Sequence, residues 1–229
     1  MEDQKSSMLE VLRFNKGFAH PEQWLEYGLA HHFKKTKAEK LVACPDCGAQ
    51  RFKSMGQFVY YSTLVQLVEC RSCGLFFTDT RIDPAVISEH FECSYKDETY
   101  FVKQRYRIFR QMTDLVGKIA PQGGKVLDIG GAKGHLLATL QSHRPDLTLV
   151  LNDLSNASCE HARAHYGFQT VCGGIEQLEG HSSHCYDVII LSDVIYYEPE
   201  LRRLWAVLPR LLAEHGTVLI RVPNKIGLI

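Results

Sequence analysis

Two groups of residues in this chain have types and spacings that could do chemistry. The first is a set of four cysteines, Cys44-x2-Cys47 and Cys70-x2-Cys73, with 22 residues between the pairs. Each second cysteine precedes a glycine, Gly48 and Gly74, which lets the backbone turn tightly and aim amides at sulfur. Four thiolates in two such knuckles suit a tetrahedral zinc ion. A rubredoxin-like iron site and a redox disulfide are the alternatives, and the second must explain two matched pairs at once. Because four cysteines fill the shell, the metal is expected to be structural. The second group is "DIGGAKGH", Asp128 to His135, which reads as the end of an apolar strand, a glycine turn and the start of a helix. Glycine lets backbone approach a ligand, and the helix N-terminus offers free N–H groups to an anion. Two known templates fail on it. The dinucleotide fingerprint needs glycines where Ala132 and His135 stand. The P-loop needs glycine at His135, and Ser or Thr after Lys133 where Gly134 stands.

Elements must hold these residues in place. From Lys125 onward, apolar strands alternate with helices: "KVLDI", "HLLATLQSH", "LTLVLND", "NASCEHARAHY", "FQTVC", a short helix near Ile175–Leu178, "YDVIILS", "PELRRLWAVLPRLLA" with a break or kink at Pro209, and "GTVLIRV". Strands that are apolar nearly throughout belong to a parallel sheet covered on both faces, so a doubly wound α/β domain is predicted. Upstream, "HPEQWLEYGLAHHFKK" has a helical pattern through Trp24, Leu25, Gly28, Leu29 and His32. The lysines near it (Lys34, Lys35, Lys37, Lys40) read as a solvated helix end. "QFVYY" and "TLVQLVEC" read as strands between the cysteine pairs. Asp83 reads as an N-cap before Pro84. Phe101, Tyr106, Ile108, Phe109, Met112, Leu115, Val116 and Ile119 recur at helical spacing up to Pro121. The expected layout is a helical extension over 1–40, a ribbon over 41–82, a helical lid or linker over 83–122, and an α/β domain over 123–229.

With those residues in view, the chain resembles class I S-adenosylmethionine-dependent methyltransferases. Their turn, [DE]-x-G-x-G-x-G, is met by Asp128, Gly130 and Gly134, with Ala132 in place of the middle glycine. Ala132 is expected to be tolerated if its φ stays negative. The resemblance implies a Rossmann-like sheet whose glycine turn (Asp128, Gly130, Gly131, Ala132, Gly134) holds the methionine part of S-adenosylmethionine. It also implies that Asp153, 23 residues after Gly130, takes the ribose hydroxyls, although by itself Asp153 could be a helix N-cap. "VCGGIEQL" resembles the turn beside the adenine; Gly174 replaces a common Asp, so the backbone of Gly174 and Ile175 is the expected contact. "YDVIILSDVIYYEPE" resembles the segment near methyl transfer, placing Ser192 beside the cofactor. Asp193 and Tyr197 become the catalytic candidates there, with Tyr196 and Glu198 as further candidate bases. "LLAEHGTVLIRVPN" resembles the fifth-strand segment.

A ribbon subgroup of the same family is similar over "CRSCGLFFTDTRIDP" and "SYKDETYF", so the resemblance covers about residues 41 to 225. It implies small-molecule acceptors, and Tyr95 and Tyr100 as lid residues. The family sheet carries two further strands after the fifth, whereas this chain stops at Ile229. A sheet truncated after strand five is therefore expected: either the chain is a fragment, or a partner or oligomer covers the strand-five edge, or the N-terminal module does. Cys93, Cys159, Cys172 and Cys185 show no ligand spacing and read as core or incidental thiols.

Composition sets the outer limits. The 229 residues carry 26 Lys+Arg and 26 Asp+Glu, a net charge of zero. This argues against a dedicated nucleic-acid binder. No apolar run reaches membrane-spanning length, and "MEDQKSSMLE" is no secretory signal, so a cytoplasmic protein is expected. The expected activity is methyl transfer to a small molecule. An RNA or translation-protein methyltransferase that docks through the ribbon, and a non-catalytic scaffold with a decayed site, are the alternatives.

Overall fold

The computed structural model describes residues 38–60, 63–83, 85–87, 98–181, 184–198 and 200–222. The helix read over Trp24–His32, and the readings at Pro84, Cys93 and Tyr95, lie outside the described residues, as does the side chain of Tyr100. The described residues form two compact units, 38–87 and 98–222.

The first unit is built from short antiparallel strands. β1 (Ala38–Lys40) pairs with β5 (Thr80–Ile82), so Lys40 lies in a strand and not at a helix end. β2 (Phe52–Tyr60), β3 (Thr63–Cys70) and β4 (Phe76–Thr78) form a second sheet in that order. Val65 and Val68 of β3 are buried, and the ring of Phe52 meets Phe77 edge-on. Asp79 fastens the two sheets. It accepts the Gln66 amide at 3.0 Å and the Thr80 hydroxyl at 2.8 Å, and Lys40 Nζ reaches its other oxygen at 2.6 Å. Asp83 accepts the Ala85 amide at 2.9 Å, the capping role read from its sequence.

The second unit has one parallel sheet. Its strands are β6 (Lys125–Ile129), β7 (Thr148–Asp153), β8 (Gln169–Cys172), β9 (Tyr186–Ser192) and β10 (Leu212–Arg221), ordered β10-β9-β6-β7-β8. The order reverses at β6, which has β7 on one side and β9 on the other. Ligands of such sheets bind beyond the carboxyl ends of the strands at that reversal. Two cores cover the two faces. One contains α1 (Glu98–Ile119), α2 (His135–His143) and α3 (Asn156–Tyr166); the other contains α4 (Ile175–Glu179) and α5 (Leu201–Leu211). Of the apolar positions read on α1, Phe109, Met112 and Val116 are buried, while Tyr106, Leu115 and Ile119 are exposed. Arg144 closes the C-terminus of α1, donating to the carbonyls of Gly117, Ala120 and Pro121 at 2.9, 3.2 and 3.0 Å. Gly117 and Ala120 are among the carbonyls that a helix end leaves without intrahelical partners.

Helix α5 accommodates Pro209 two residues before its end, and β10 begins at Leu212, earlier than the pattern suggests. Leu212 pairs with Tyr186, and regular pairing resumes at Thr217 after a bulge. Gly216 makes the bulge possible, since a Cβ there would sit 2.7 Å from the Tyr186 carbonyl. Among the described residues, β10 is the outer strand of the sheet, and no helix is long and apolar enough to cross a membrane.

Candidate cofactor site and cysteine cluster

The glycine turn leaves β6 and bends back before α2. Gly130 and Gly134 take φ of 69° and 87°, as the turn requires. Space is as restrictive as torsion. A Cβ at Gly130 would lie 2.3 Å from Val194 Cγ2, one at Gly131 2.7 Å from Asp128 Oδ2, and one at Gly134 3.3 Å from both Leu151 Cδ1 and Phe168. Gly134 is the N-cap of α2, and no side chain caps that helix. The Asn152 carbonyl ties the turn to β7, accepting from Gly130 at 2.8 Å and Gly131 at 3.1 Å.

Ala132 departs from expectation. Its φ is +49°, not negative. Its amide must point at Asp153, to which it donates at 2.8 Å, and the left-handed conformation delivers that bond. Holding a residue with a Cβ there costs about 1 kcal/mol.

Two acids flank the turn with different partners. Asp128 is buried, and its Oδ2 has no hydrogen-bond partner. Burial first, then the charge of Asp153, pushes its carboxyl up to about 8. Asp153 has both oxygens engaged: Oδ2 by Ala132 and Oδ1 by the Ser155 amide at 2.9 Å. Burial still raises its carboxyl, against those two amides. Ser155, not Asp153, is the N-cap of α3. The Asp153 carbonyl accepts the Gly173 amide at 2.9 Å, which brings the Gly174–Ile175 turn to the same end of the sheet.

Sequence reasoning missed Asn152, the buried residue that braces both turns. Its side-chain amide donates to the Val171 carbonyl at 2.8 Å and the Gly173 carbonyl at 2.9 Å. The available signal was a lone polar residue inside the apolar run "LTLVLND". Val194, which fills the space beneath Gly130, was likewise unread.

At the end of β9, Ser192 pairs with Arg221 of β10. Asp193 follows with φ +58° and a side chain only 7% exposed. Arg105 Nη1 donates to its Oδ2 at 2.7 Å, and Arg221 Nη1 donates to the same oxygen. Neither arginine was read from the sequence, because nothing local in "KQRYRIF" or "LIRVP" marks them. Tyr197 closes a 3-10 turn (Ile195–Tyr197), and its ring lies 4.6 Å from that of Tyr196. Burial raises the Glu198 carboxyl. The structure thus gathers Asp128, Gly130, Gly131, Ala132, Gly134, Asp153 and Gly174 at one end of the sheet, with Ser192 and Asp193 ending the strand on the other side of β6.

The sulfurs of Cys44, Cys47, Cys70 and Cys73 all lie within 4.8 Å of one another. Cys44 and Cys73 approach to 3.7 Å, and Cys47 and Cys70 to 3.5 Å. Gly48 and Gly74 take φ of 75° and 76°, and their amides close the knuckles onto the carbonyls of Cys44 and Cys70 at 3.0 and 2.9 Å. The Cys73 amide brings the Cys70 thiol down to about 6, while Cys73, against the Leu75 amide, is pushed up to about 12 by burial and the neighbouring sulfurs. Four sulfurs this close cannot all carry charge without a cation among them. A divalent ion with tetrahedral preference fits this donor set.

A parallel sheet with this strand order, a glycine turn at its reversal point and an acid at the end of each of the first two strands define a Rossmann-like fold of the nucleotide-cofactor-binding kind. Residues 101–227 match the family model described as a methyltransferase domain, and the chain belongs to that family, the class I S-adenosylmethionine-dependent methyltransferases. The chain is similar to the ribosomal RNA small subunit methyltransferase C of Enterobacter sp. (strain 638), 32% identical over 111 residues that cover 45% of this chain and 32% of that protein. It is also similar to the Shigella flexneri protein of the same name, 29% identical over 139 residues that cover 57% of this chain and 40% of that one. The chain therefore spans well under half the length of these relatives. Among solved structures, a SAM-dependent methyltransferase from Archaeoglobus fulgidus is 18% identical with a TM-score of 0.47, covering 57% of this chain and 60% of that one.

Proposed function

We propose that this chain binds S-adenosylmethionine at the carboxyl end of β6 and transfers its methyl group to a small-molecule acceptor in the cytoplasm. The observation that carries the reading is Asp128 Oδ2, a buried carboxylate oxygen with no partner, set against a glycine where any Cβ would collide with it. A buried, unpaired carboxylate is unfavourable by itself and calls for a cation or donor; the ammonium group of the cofactor is one. When bound, the cofactor supplies a methyl group already activated by sulfonium. The chain's residues bind and orient. Gly130, Gly131 and Gly134 let the backbone approach, and Asp128 takes the ammonium. Asp153 accepts the ribose hydroxyls on the lone pairs its two amide bonds leave free. The backbone of Gly174 and Ile175 borders the adenine. Ser192, Asp193 and Tyr197 face the acceptor, with Asp193 pinned by Arg105 and Arg221. A base acts only where the acceptor must lose a proton.

The Cys44–Cys47–Cys70–Cys73 cluster holds a structural zinc ion in this reading, because four thiolates leave no position for a substrate. The small-molecule acceptor is supported by the neutral net charge. A second reading, an RNA acceptor, is favoured by the names of the relatives. The test is transfer of labelled methyl from S-adenosylmethionine into a cell extract. Label in the low-molecular-weight fraction supports the first reading and label in RNA the second. A folded protein that neither transfers label nor binds S-adenosylhomocysteine overturns both.

A further inference from the structure

The ion triad at the end of β9 carries more cation than a brace for Asp193 requires. Arg105 Nη1 reaches Asp193 Oδ2 at 2.7 Å, and Arg221 Nη1 reaches the same oxygen. The carboxylate is the inner member, its side chain 7% exposed, whereas the two arginines are 32% and 33% exposed. Arg221 is fixed by backbone as well as side chain: it ends β10 opposite Ser192, and its carbonyl accepts the Asp193 amide at 2.9 Å. Its guanidinium gives Asp193 one nitrogen. Among the described residues, its Nε and Nη2 meet no acceptor. These are the two nitrogens that present parallel N–H bonds on one edge of the guanidinium, the fork that matches a carboxylate or a phosphate. Glu198, the next acid along the chain, directs an oxygen elsewhere, to the Glu200 amide at 2.9 Å. The triad also sits beside the cofactor turn. Val194, the residue after Asp193, fills the space beneath Gly130, where a Cβ would lie 2.3 Å from Val194 Cγ2. The exposed fork of Arg221 is therefore held past the carboxyl ends of β9 and β10, on the side of the sheet where ligands of this fold bind.

We propose that Arg221, with Arg105 adding positive charge behind Asp193, binds an anionic group of the methyl acceptor, so that the substrate is a small acidic molecule carrying a carboxylate or a phosphate. This rests on the reading that S-adenosylmethionine binds at the end of β6 and that a small molecule enters beside it. Asp193 is then a positioning residue. Its buried carboxylate aligns Arg221 and leaves the fork facing outward. The anion completes the set, since two guanidiniums against one carboxylate leave a positive charge that a second anion balances. Charge pairing at the far end of the acceptor orients its nucleophile without the anion itself taking part in methyl transfer.

The experiment follows the zinc-loaded full chain, saturated with S-adenosylhomocysteine, by nitrogen-15 NMR while inorganic phosphate or acetate is added at constant ionic strength. The Arg221 Nε resonance and the Val194 backbone amide are expected to shift together, with a midpoint on the order of millimolar for such a fragment. In Arg221→Gln the Val194 amide should need at least about tenfold more anion, and Arg221→Lys should restore part of the loss because it keeps the charge without the fork. An Arg221 resonance that moves with neither anion, or no more than those of the exposed Arg110 and Arg210, overturns the proposal in a protein that binds S-adenosylhomocysteine. If S-adenosylhomocysteine does not bind, the cofactor reading fails, and the same titration of the unliganded chain still decides the anion site. Labelled-methyl transfer into a cell extract supplies the second arm. A small labelled product retained by an anion exchanger at neutral pH supports the proposal. Loss of that retention after phosphatase treatment identifies a phosphate, and its persistence a carboxylate. A neutral or cationic product, or label in RNA alone, overturns it.

Discussion

Replacing Asp128 with Asn should make the cofactor-free protein more stable while removing its ability to hold the cofactor. The carboxyl is raised from 3.8 to about 8 by burial and by Asp153. An acid whose pKa is higher in the folded state keeps its proton there after the unfolded chain has lost it. Stability is thus full below the unfolded value near pH 4 and declines as pH rises to about 8, where the penalty is complete. At pH 7 the group lies about three units past its unfolded value, and each unit is worth about 1.4 kcal/mol, so the penalty is ~4 kcal/mol. Asn has the shape of the protonated acid and cannot ionise. Asp128→Asn should therefore raise Tm by about 10 °C at pH 7 and change it little at pH 4. Thermal melts of both proteins across that range, with and without S-adenosylhomocysteine, make the comparison. Added ligand should raise Tm for the wild type and leave Asp128→Asn unmoved. The reasoning fails if the variant shows no pH-dependent gain, or if it keeps the full ligand-induced shift.

Three further outcomes can be checked. Ala132→Gly relieves the left-handed alanine at φ +49°, offset in part by the greater freedom glycine gives the unfolded chain; a gain of about 0.5 kcal/mol in chemical denaturation is expected, and a loss would contradict the strain. Asn152→Ala leaves the partly buried carbonyls of Val171 and Gly173 without this donor; it should cost about 1–3 kcal/mol and weaken S-adenosylhomocysteine binding by calorimetry, whereas a neutral effect would contradict the bracing role. Elemental analysis should find about one zinc per chain, lost in Cys70→Ser together with protease resistance over residues 41–82; full resistance without metal would exclude a structural role.

Periodicity and glycine chemistry made the parallel sheet legible in the sequence, because apolar runs of strand length alternate with helical ones. The glycine turn was legible through Asp128, Gly130 and Gly134. What stayed hidden depends on contacts between distant residues. The sign of φ at Ala132 is set by a bond to Asp153 on another strand, which local propensity cannot register. Helical spacing marked α1 but not which of its apolar residues meet the core: Tyr106, Leu115 and Ile119 stay in solvent because the apolar stripe is wider than the core it meets. Arg105 and Arg221 could not be read as partners of Asp193 because 88 and 28 residues of sequence separate them from it. The first strand pairing at Lys40 was masked by a lysine-rich context that reads equally well as a helix end.

That ion triad also bears on how the molecule is made. Asp193 is held from one side by a residue emerging early from the ribosome and from the other by one emerging much later. Asp128, the glycine turn and Asp153 all lie within the first 153 residues, but Asp193 is not held from both sides until Arg221 has been synthesised and β10 has joined the sheet. A nascent chain therefore contains the turn and acids proposed to take the cofactor well before it contains the last partner of Asp193. In vectorial synthesis, N-terminal parts fold first, and here the order of emergence alone keeps the two halves of the site from maturing together.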